Sequence, residues 1–335
     1  MIHGRRLGWT NLEVSPLGLG CWAIGGPTQF QGSHFGWGEI DEEEAIRAIQ
    51  VALDGGVTFI DTADIYGTGR SERIVGRALA GRRDRVLVST KFGLTFDEFS
   101  GNMTGRDASP TYIKQACEAS LRRLGTDYID LYQFHIGGYD PADVDTVLDT
   151  LDELVAEGKV RYSAWGTEPE GVKRFVERGR CPAVQFGLNM LTMFFGEADE
   201  MLSFCDEHDL LAIINGPLGK GLLTGKFDPT TRFAEGDLRR QRGWNVEAGS
   251  LAKGRRVVDE LRDILTSDGR TVAQAALGAL WARSERCLPI PGFKTVAQVR
   301  ENVAALEHGP LTPEQMRAIA DLVTSSLTEE EAQSL

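Results

Sequence analysis

Four ionisable residues stand at or just beyond the ends of short apolar runs. Asp61 closes Val57-Thr58-Phe59-Ile60-Asp61, and Tyr66 follows in Thr62-Ala63-Asp64-Ile65-Tyr66-Gly67. Lys91 closes Val86-Leu87-Val88-Ser89-Thr90-Lys91, and His135 closes Leu131-Tyr132-Gln133-Phe134-His135. A buried strand tolerates charge at its end only where that charge is paired or faces a cavity. A tyrosine with an ordinary pKa near ~10 is a poor acid at neutral pH. An adjacent ammonium stabilises the phenolate and is expected to bring that pKa down. A carboxylate keeps the ammonium charged, and a neutral imidazole can hold a carbonyl oxygen in place. Together these groups suit protonation of an alkoxide forming at a carbonyl, a step general acid catalysis typically accelerates about 10²–10⁴-fold. Such a set carries no electrons, so a hydride donor is required.

The elements that must position these residues follow from the apolar pattern. Strands are predicted at 17–22, 57–62, 86–91, 129–135, 160–166, 183–187, 210–215 and 287–291. Most are continuously apolar, as in a parallel sheet covered on both faces. Helical stretches lie between them and carry start signals. Asp41 with Glu44 three residues on, Thr271 with Gln274, and Thr295 with Gln298 all fit capping boxes, while Ser109-Pro110 offers an N-cap followed by Pro. Eight strand–helix units predict an α/β fold, a (β/α)₈ barrel formed as one domain over residues 1–335. Residues 5–7 and 12–15 predict a hairpin closing one end. In such a barrel the second, third and fourth strand tips are neighbours, which would gather Asp61, Tyr66, Lys91 and His135 in one pocket. Three connections, 25–40, 92–109 and 226–253, are too long for simple linkers, and all follow strand C-termini. They predict a substrate cover with Trp37, Phe92 and Trp244 in a partly aromatic wall.

These residues also carry a family resemblance. Asp61-Thr62-Ala63 with Tyr66-Gly67, Ser89-Thr90-Lys91-Phe92-Gly93, Tyr132-Gln133-Phe134-His135, and Ile290-Pro291-Gly292 with Glu301-Asn302 resemble the aldo-keto reductase superfamily, in order over nearly the whole chain. The resemblance implies an NAD(P)H-dependent barrel whose catalytic tetrad is Asp61, Tyr66, Lys91 and His135. It also implies that Gln185 binds the nicotinamide amide, that Gly20, Cys21 and Trp22 flank the ring through their backbone, and that Glu301 and Asn302 contact adenine. Two departures stand out. Gly166-Thr167 replaces the Ser-Asn of many members, and Trp165-Gly166-Thr167 is similar to the branch containing the potassium-channel beta subunits. Asn215 stands where an aromatic often stacks on the nicotinamide.

The phosphates of a nucleotide need their own cradle. Asn215-Gly216-Pro217-Leu218-Gly219-Lys220-Gly221 and on to Lys226 is glycine-rich and follows the seventh strand, where barrel phosphate sites commonly lie. After the eighth strand, Gly292 leads to Lys294, Thr295 and Gln298, a cation meeting a helix N-terminus. This pattern is read as the adenosine 2′-phosphate site and favours NADP(H), with NAD(H) as the alternative.

Composition narrows the remaining classes. The 335 residues carry 36 Lys plus Arg against 49 Asp plus Glu, a net charge of −13, with 25% charged and 41% hydrophobic residues. An acidic, ordinary globular chain argues against nucleic-acid or anionic-membrane binding and against disorder. Five scattered cysteines without a C-x-x-C pair, and a start lacking an apolar signal core, predict reduced thiols in a cytoplasmic protein. No second His or Cys stands at ligand spacing, so no metal is expected. The sequence therefore predicts a carbonyl or alcohol substrate. A Schiff-base lyase using Lys91 and a cofactor-sensing interaction protein with vestigial turnover are the competing readings. Oligomeric state is not encoded in any recognisable pattern.

Overall fold

The computed structural model describes residues 3–165, 169–241 and 243–335. The chain opens on a hairpin of β1 (Arg5–Arg6) and β2 (Glu13–Val14), paired antiparallel. β3 (Leu19–Gly20) follows, then a second hairpin of β4 (Gln29–Phe30) and β5 (Ser33–His34). Next come α1 (Glu42–Asp54), β6 (Phe59–Asp61), α2 (Arg70–Ala78) and β7 (Leu87–Phe92). Two antiparallel strands, β8 (Leu94–Asp97) and β9 (Asn102–Arg106), interrupt the alternation. It resumes with α3 (Pro110–Leu124), β10 (Ile129–Phe134), α4 (Asp145–Ala156) and β11 (Val160–Trp165). Then follow α5 (Pro169–Glu177), β12 (Ala183–Gly187), α6 (Gly196–Glu207) and β13 (Leu211–Asn215). The short α7 (Leu238–Gln241), α8 (Gly249–Leu265), α9 (Val272–Arg283) and β14 (Cys287–Pro289) precede α10 (Val296–His308), α11 (Pro313–Ser326) and α12 (Glu329–Gln333).

Each barrel strand falls within a residue of an apolar run read from the sequence. They form a five-stranded parallel sheet, β11-β10-β7-β6-β3, and a three-stranded one, β12-β13-β14. Backbone bonds from Gly18 N to Pro289 O and from Gly20 N to Pro291 O join β3 to the β14 side. Ser163 N donates to Arg180 O at the β11–β12 seam. The architecture is the (β/α)₈ barrel. Every residue of β7 and β10 is buried, as a sheet sandwiched between barrel interior and helices requires. Trp281 Nε1 donates to Pro16 O (2.9 Å) and Trp9 Nε1 to Cys181 O (3.3 Å), fastening the N-terminal hairpin across the barrel base.

The predicted caps form at Ser109, Thr271 and Thr295. At Asp41 only half of the expected box forms. Its carboxylate accepts from Glu44 N (3.0 Å), but the Glu44 side chain does not return to the Asp41 amide and accepts from Val296 N and Arg47 instead. The connections 25–40 and 92–109, read from the sequence as too long for simple linkers, build a four-stranded sheet in the order β5-β4-β9-β8. Gln31 (φ 50°) and Gly32 (φ 77°) turn the β4–β5 hairpin, both left-handed as a tight two-residue turn demands. The third connection, 226–253, contains α7 and reaches across to the first through an antiparallel bridge between Trp37 and Asp237. All five cysteines are free and buried. No described helix is long and apolar enough to cross a membrane.

Candidate active site

Register brings the strand-end residues together. In a parallel pair, residues at the same level point to the same face, and Asp61 lies opposite Ser89 while Gln133 lies opposite Lys91. All four therefore face the barrel interior. Lys91 Nζ donates to Asp61 Oδ2 (2.6 Å) and to the Thr62 carbonyl (2.7 Å). The same ammonium lies 5.0 Å from the centre of the Tyr66 ring, close enough for its charge to act on the phenol. Asp61 Oδ1 accepts from Ser89 Oγ (3.1 Å) and Gln133 Nε2 (3.0 Å). His135 stands edge-on to Tyr66, with ring centroids 6.2 Å apart. Gly67, at φ 61°, allows the turn after Tyr66 to press against Gly25, where an added Cβ would lie 1.9 Å from the Gly25 carbonyl oxygen.

Electrostatics follow from burial and pairing. Burial works against the charge on Lys91, but Asp61 and Tyr66 outweigh it and hold its pKa above the usual value. Burial raises the Tyr66 phenol, and the opposing pull of Lys91 does not reverse it. The expectation of a lowered tyrosine pKa is therefore corrected: desolvation exceeds the effect of the ammonium, and Tyr66 holds its proton. Burial, reinforced by the Lys91 charge, lowers His135 to about 3, so its imidazole is neutral. The Nδ1 atom of His135 is buried and has no partner among the described residues.

The aromatic wall forms in part as expected. Trp22 stacks on Tyr66 (5.8 Å, 21°) and meets Trp37 edge-on (5.4 Å). The Arg239 guanidinium covers Trp37 (5.3 Å) and Phe233 (4.6 Å), and Trp244 joins the far end against Phe233 (6.3 Å). Phe92 does not belong here. It is fully buried against Tyr132 (4.4 Å) and Phe134 (5.5 Å) in the layer facing the helices, because its neighbour Lys91 takes the inward direction.

The residues assigned to a nucleotide are more occupied by the protein than expected. Gly20 N is spent on Pro291 O, Cys21 N on Asp61 O, and Cys21 O accepts from Ser71 Oγ (2.9 Å), so these backbones hold strands together. Gly292 bridges Gly20. Gln185 accepts from Gln133 at Oε1 (2.8 Å) and donates to Asp61 Oδ2 (3.3 Å). Asn215 ends β13 opposite Gly187 and is exposed. After Pro217 and Leu218 the glycine-rich segment coils tightly, and the amides of Gly219 and Gly221 bond within it instead of pointing outward. Lys226 pairs with Glu301 (2.7 Å). Lys294 Nζ donates to the carbonyls of Trp37 and Glu39. Thr295 and Gln298 form their capping box, while Val296 N donates to Glu44 Oε1 (2.9 Å). Asn302 is buried, and its Nδ2 has no partner among the described residues. Gly166 and Thr167 lie outside the described residues. Sequence reasoning passed over Ser89 and Gln133 as carboxylate partners and Glu44 as a helix cap. The first two share strand parity with Lys91 and His135, which was the available signal.

A barrel with a phenol, ammonium, carboxylate and imidazole at its strand tips defines a class of redox barrel enzymes. Residues 16–324 match the aldo/keto reductase family. The chain is 31% identical to the uncharacterized oxidoreductase YqkF of Bacillus subtilis (strain 168) over 320 residues, covering 95% of each. Its fold is similar to that of the glycerol dehydrogenase AKR11B4 from Gluconobacter oxydans (TM-score 0.82, 31% identity, 97% of this chain and 96% of that one). It is also similar to an aldo-keto reductase from Klebsiella pneumoniae solved with NADPH (TM-score 0.72, 25% identity, 98% of each chain). This chain belongs to the aldo/keto reductase family and is an oxidoreductase.

Proposed function

We propose that the chain binds NADP(H) and interconverts a small carbonyl compound and its alcohol, with Tyr66 as general acid and base. The observation that carries this reading is the gathering around Lys91, whose ammonium donates to Asp61 and Thr62 and lies 5.0 Å from the centre of the Tyr66 ring. The bound nicotinamide supplies or accepts the hydride. The Tyr66 hydroxyl gives its proton to the carbonyl oxygen as charge develops there, and Lys91, kept charged by Asp61, stabilises the phenolate left behind. His135, neutral at working pH, donates to the same oxygen and fixes its direction. Trp22 and Trp37 keep water from the reacting oxygen on one side.

The cofactor fits this chain's residues on two observations. The orphaned Nδ2 of buried Asn302 is a donor suited to a purine nitrogen, and Lys294 is a half-buried cation beside the start of α10. Gln185, Asn215, the 216–221 segment, Lys226, Gln298 and Glu301 would complete the groove between them. A neighbour solved with NADPH supports the same choice. A Schiff-base role for Lys91 is disfavoured because an ammonium held protonated by a buried carboxylate is a poor nucleophile.

The test is NADPH oxidation over aldehydes, ketones and sugars, with NADP⁺ reduction over alcohols. Tyr66→Phe should lower kcat about 10²–10⁴-fold while the NADPH Kd, read by fluorescence, stays within a factor of about two. Unchanged turnover removes Tyr66 from the reaction. No turnover over the whole panel by the unaltered protein removes the carbonyl reading.

A further inference from the structure

We propose that Glu44 sets the discrimination between phosphorylated and unphosphorylated adenosine ribose, weakening the hold on NADPH relative to NADH. This inference rests on the reading that the adenosine end of the nucleotide lies at the start of α10. Its origin is a misplaced cap. Glu44 occupies the third turn position of α1 and, by the local pattern, should fold back onto Asp41. Instead it crosses to another helix: Oε1 accepts from Val296 N (2.9 Å), a contact 252 residues away in sequence, and Oε2 accepts from Arg47 (2.9 Å).

The consequence lies in how the first turn of α10 is satisfied. Thr295 Oγ1 accepts from Gln298 N (3.3 Å), and Gln298 Oε1 accepts from Lys294 N (2.7 Å) and Thr295 N (3.3 Å). With Glu44 on Val296 N, four backbone donors that could have met a phosphate already have protein acceptors. The Glu44 carboxyl is held below the usual carboxylate range, chiefly by the Val296 amide and the Arg47 side chain, so it is charged at neutral pH. Lys294 is diverted too, since its Nζ is anchored on the carbonyls of Trp37 and Glu39.

A 2′-phosphate carries roughly −1.5 to −2 charges at neutral pH and must either displace the Glu44 carboxylate or sit beside it. A free 2′-hydroxyl, in contrast, is a donor that a carboxylate accepts, the pairing used by acidic residues at unphosphorylated ribose in other dinucleotide sites. Further along the same helix, the buried Asn302 Nδ2 without a protein partner is an independent donor for the adenine that both nucleotides share. The discrimination is thus confined to the ribose substituent.

The experiment is fluorescence titration of the full chain with NADPH and with NADH. Glu44→Gln keeps an acceptor for Val296 N and removes the charge. It should tighten NADPH about fivefold relative to NADH, the effect expected of one partly screened charge. Arg47→Ala tests the opposite sign, because it leaves the carboxylate uncompensated and should loosen NADPH relative to NADH. An NADPH-to-NADH ratio that stays the same in both variants overturns the role of Glu44. Lys294→Met separates the two levels. If it weakens NADPH while the Glu44 and Arg47 variants leave the ratio unchanged, only this inference falls. If neither nucleotide responds to any of the three, the adenosine end does not lie at the start of α10, and that placement falls together with this inference.

Discussion

Replacing Asp61 by Asn tests the arrangement on which the site depends. Asp61 and Lys91 are buried side chains, 3% and 4% exposed, with 2.6 Å between charged atoms. At an effective dielectric constant of about 20 the attraction is roughly 6 kcal/mol before desolvation is subtracted. Removing one partner of such a pair typically costs about 3–5 kcal/mol, because the other charge is left uncompensated. The amide adds a second conflict, since its NH₂ must face either Lys91 or the donors Ser89 and Gln133. In the unaltered chain the folded Lys91 pKa lies above its unfolded value, so the pair stabilises through neutral pH and the contribution is lost as pH rises through the folded pKa. In Asp61→Asn, burial dominates and drops the folded Lys91 pKa below the unfolded one. The variant should then gain stability as pH rises towards about 10, and its deficit should shrink. Urea unfolding across that range reads both quantities. A variant within about 1 kcal/mol of the parent, with the same pH dependence, refutes the reasoning.

Two further outcomes follow from single side chains. His135 is lowered to about 3, below its unfolded pKa, so the stability linked to its neutral form is full above about pH 6.5 and falls as pH drops towards 3. The kcat/KM profile should accordingly lack an acid limb between about pH 6 and 7; a limb there that moves in His135→Gln refutes a neutral imidazole. Asp64 is 1% exposed, both its carboxyl oxygens lack partners among the described residues, and burial with the nearby Glu72 holds its pKa well above normal. That raised pKa stabilises the fold only while the carboxyl keeps its proton, and the benefit declines as pH rises through the folded value. Asp64→Asn should therefore raise Tm at mildly alkaline pH by an amount equivalent to about 1 kcal/mol or more; an unchanged or lower Tm contradicts a buried neutral acid.

The barrel was legible because its strands are short, apolar and bounded, and the four ionisable residues because charge at a buried strand end demands a reason. Alternation could have been pushed further. Once Lys91 points inward, Phe92 must point outward, and Ser89 and Gln133 must join Asp61. Other features had no local signal. The sheet built from 25–40 and 92–109 pairs β4 with β9, residues some seventy positions apart, so nothing in either segment announces the other. The Glu44 side chain satisfies a helix that begins 252 residues later, while its own sequence context reads as an ordinary capping box. The direction of the Tyr66 shift was misjudged for a different reason: sequence shows the neighbouring ammonium but not the depth of burial that outweighs it.

The bridge between Trp37 and Asp237, with Arg239 laid over Trp37, makes the connections after the first and seventh strands a single mechanical part. Leu238 N adds a backbone bond to Gly36 O (2.9 Å). Grafting either segment alone from a homologue would therefore leave an unmated edge and a stranded guanidinium. The two connections would have to be transplanted or recombined as one cassette.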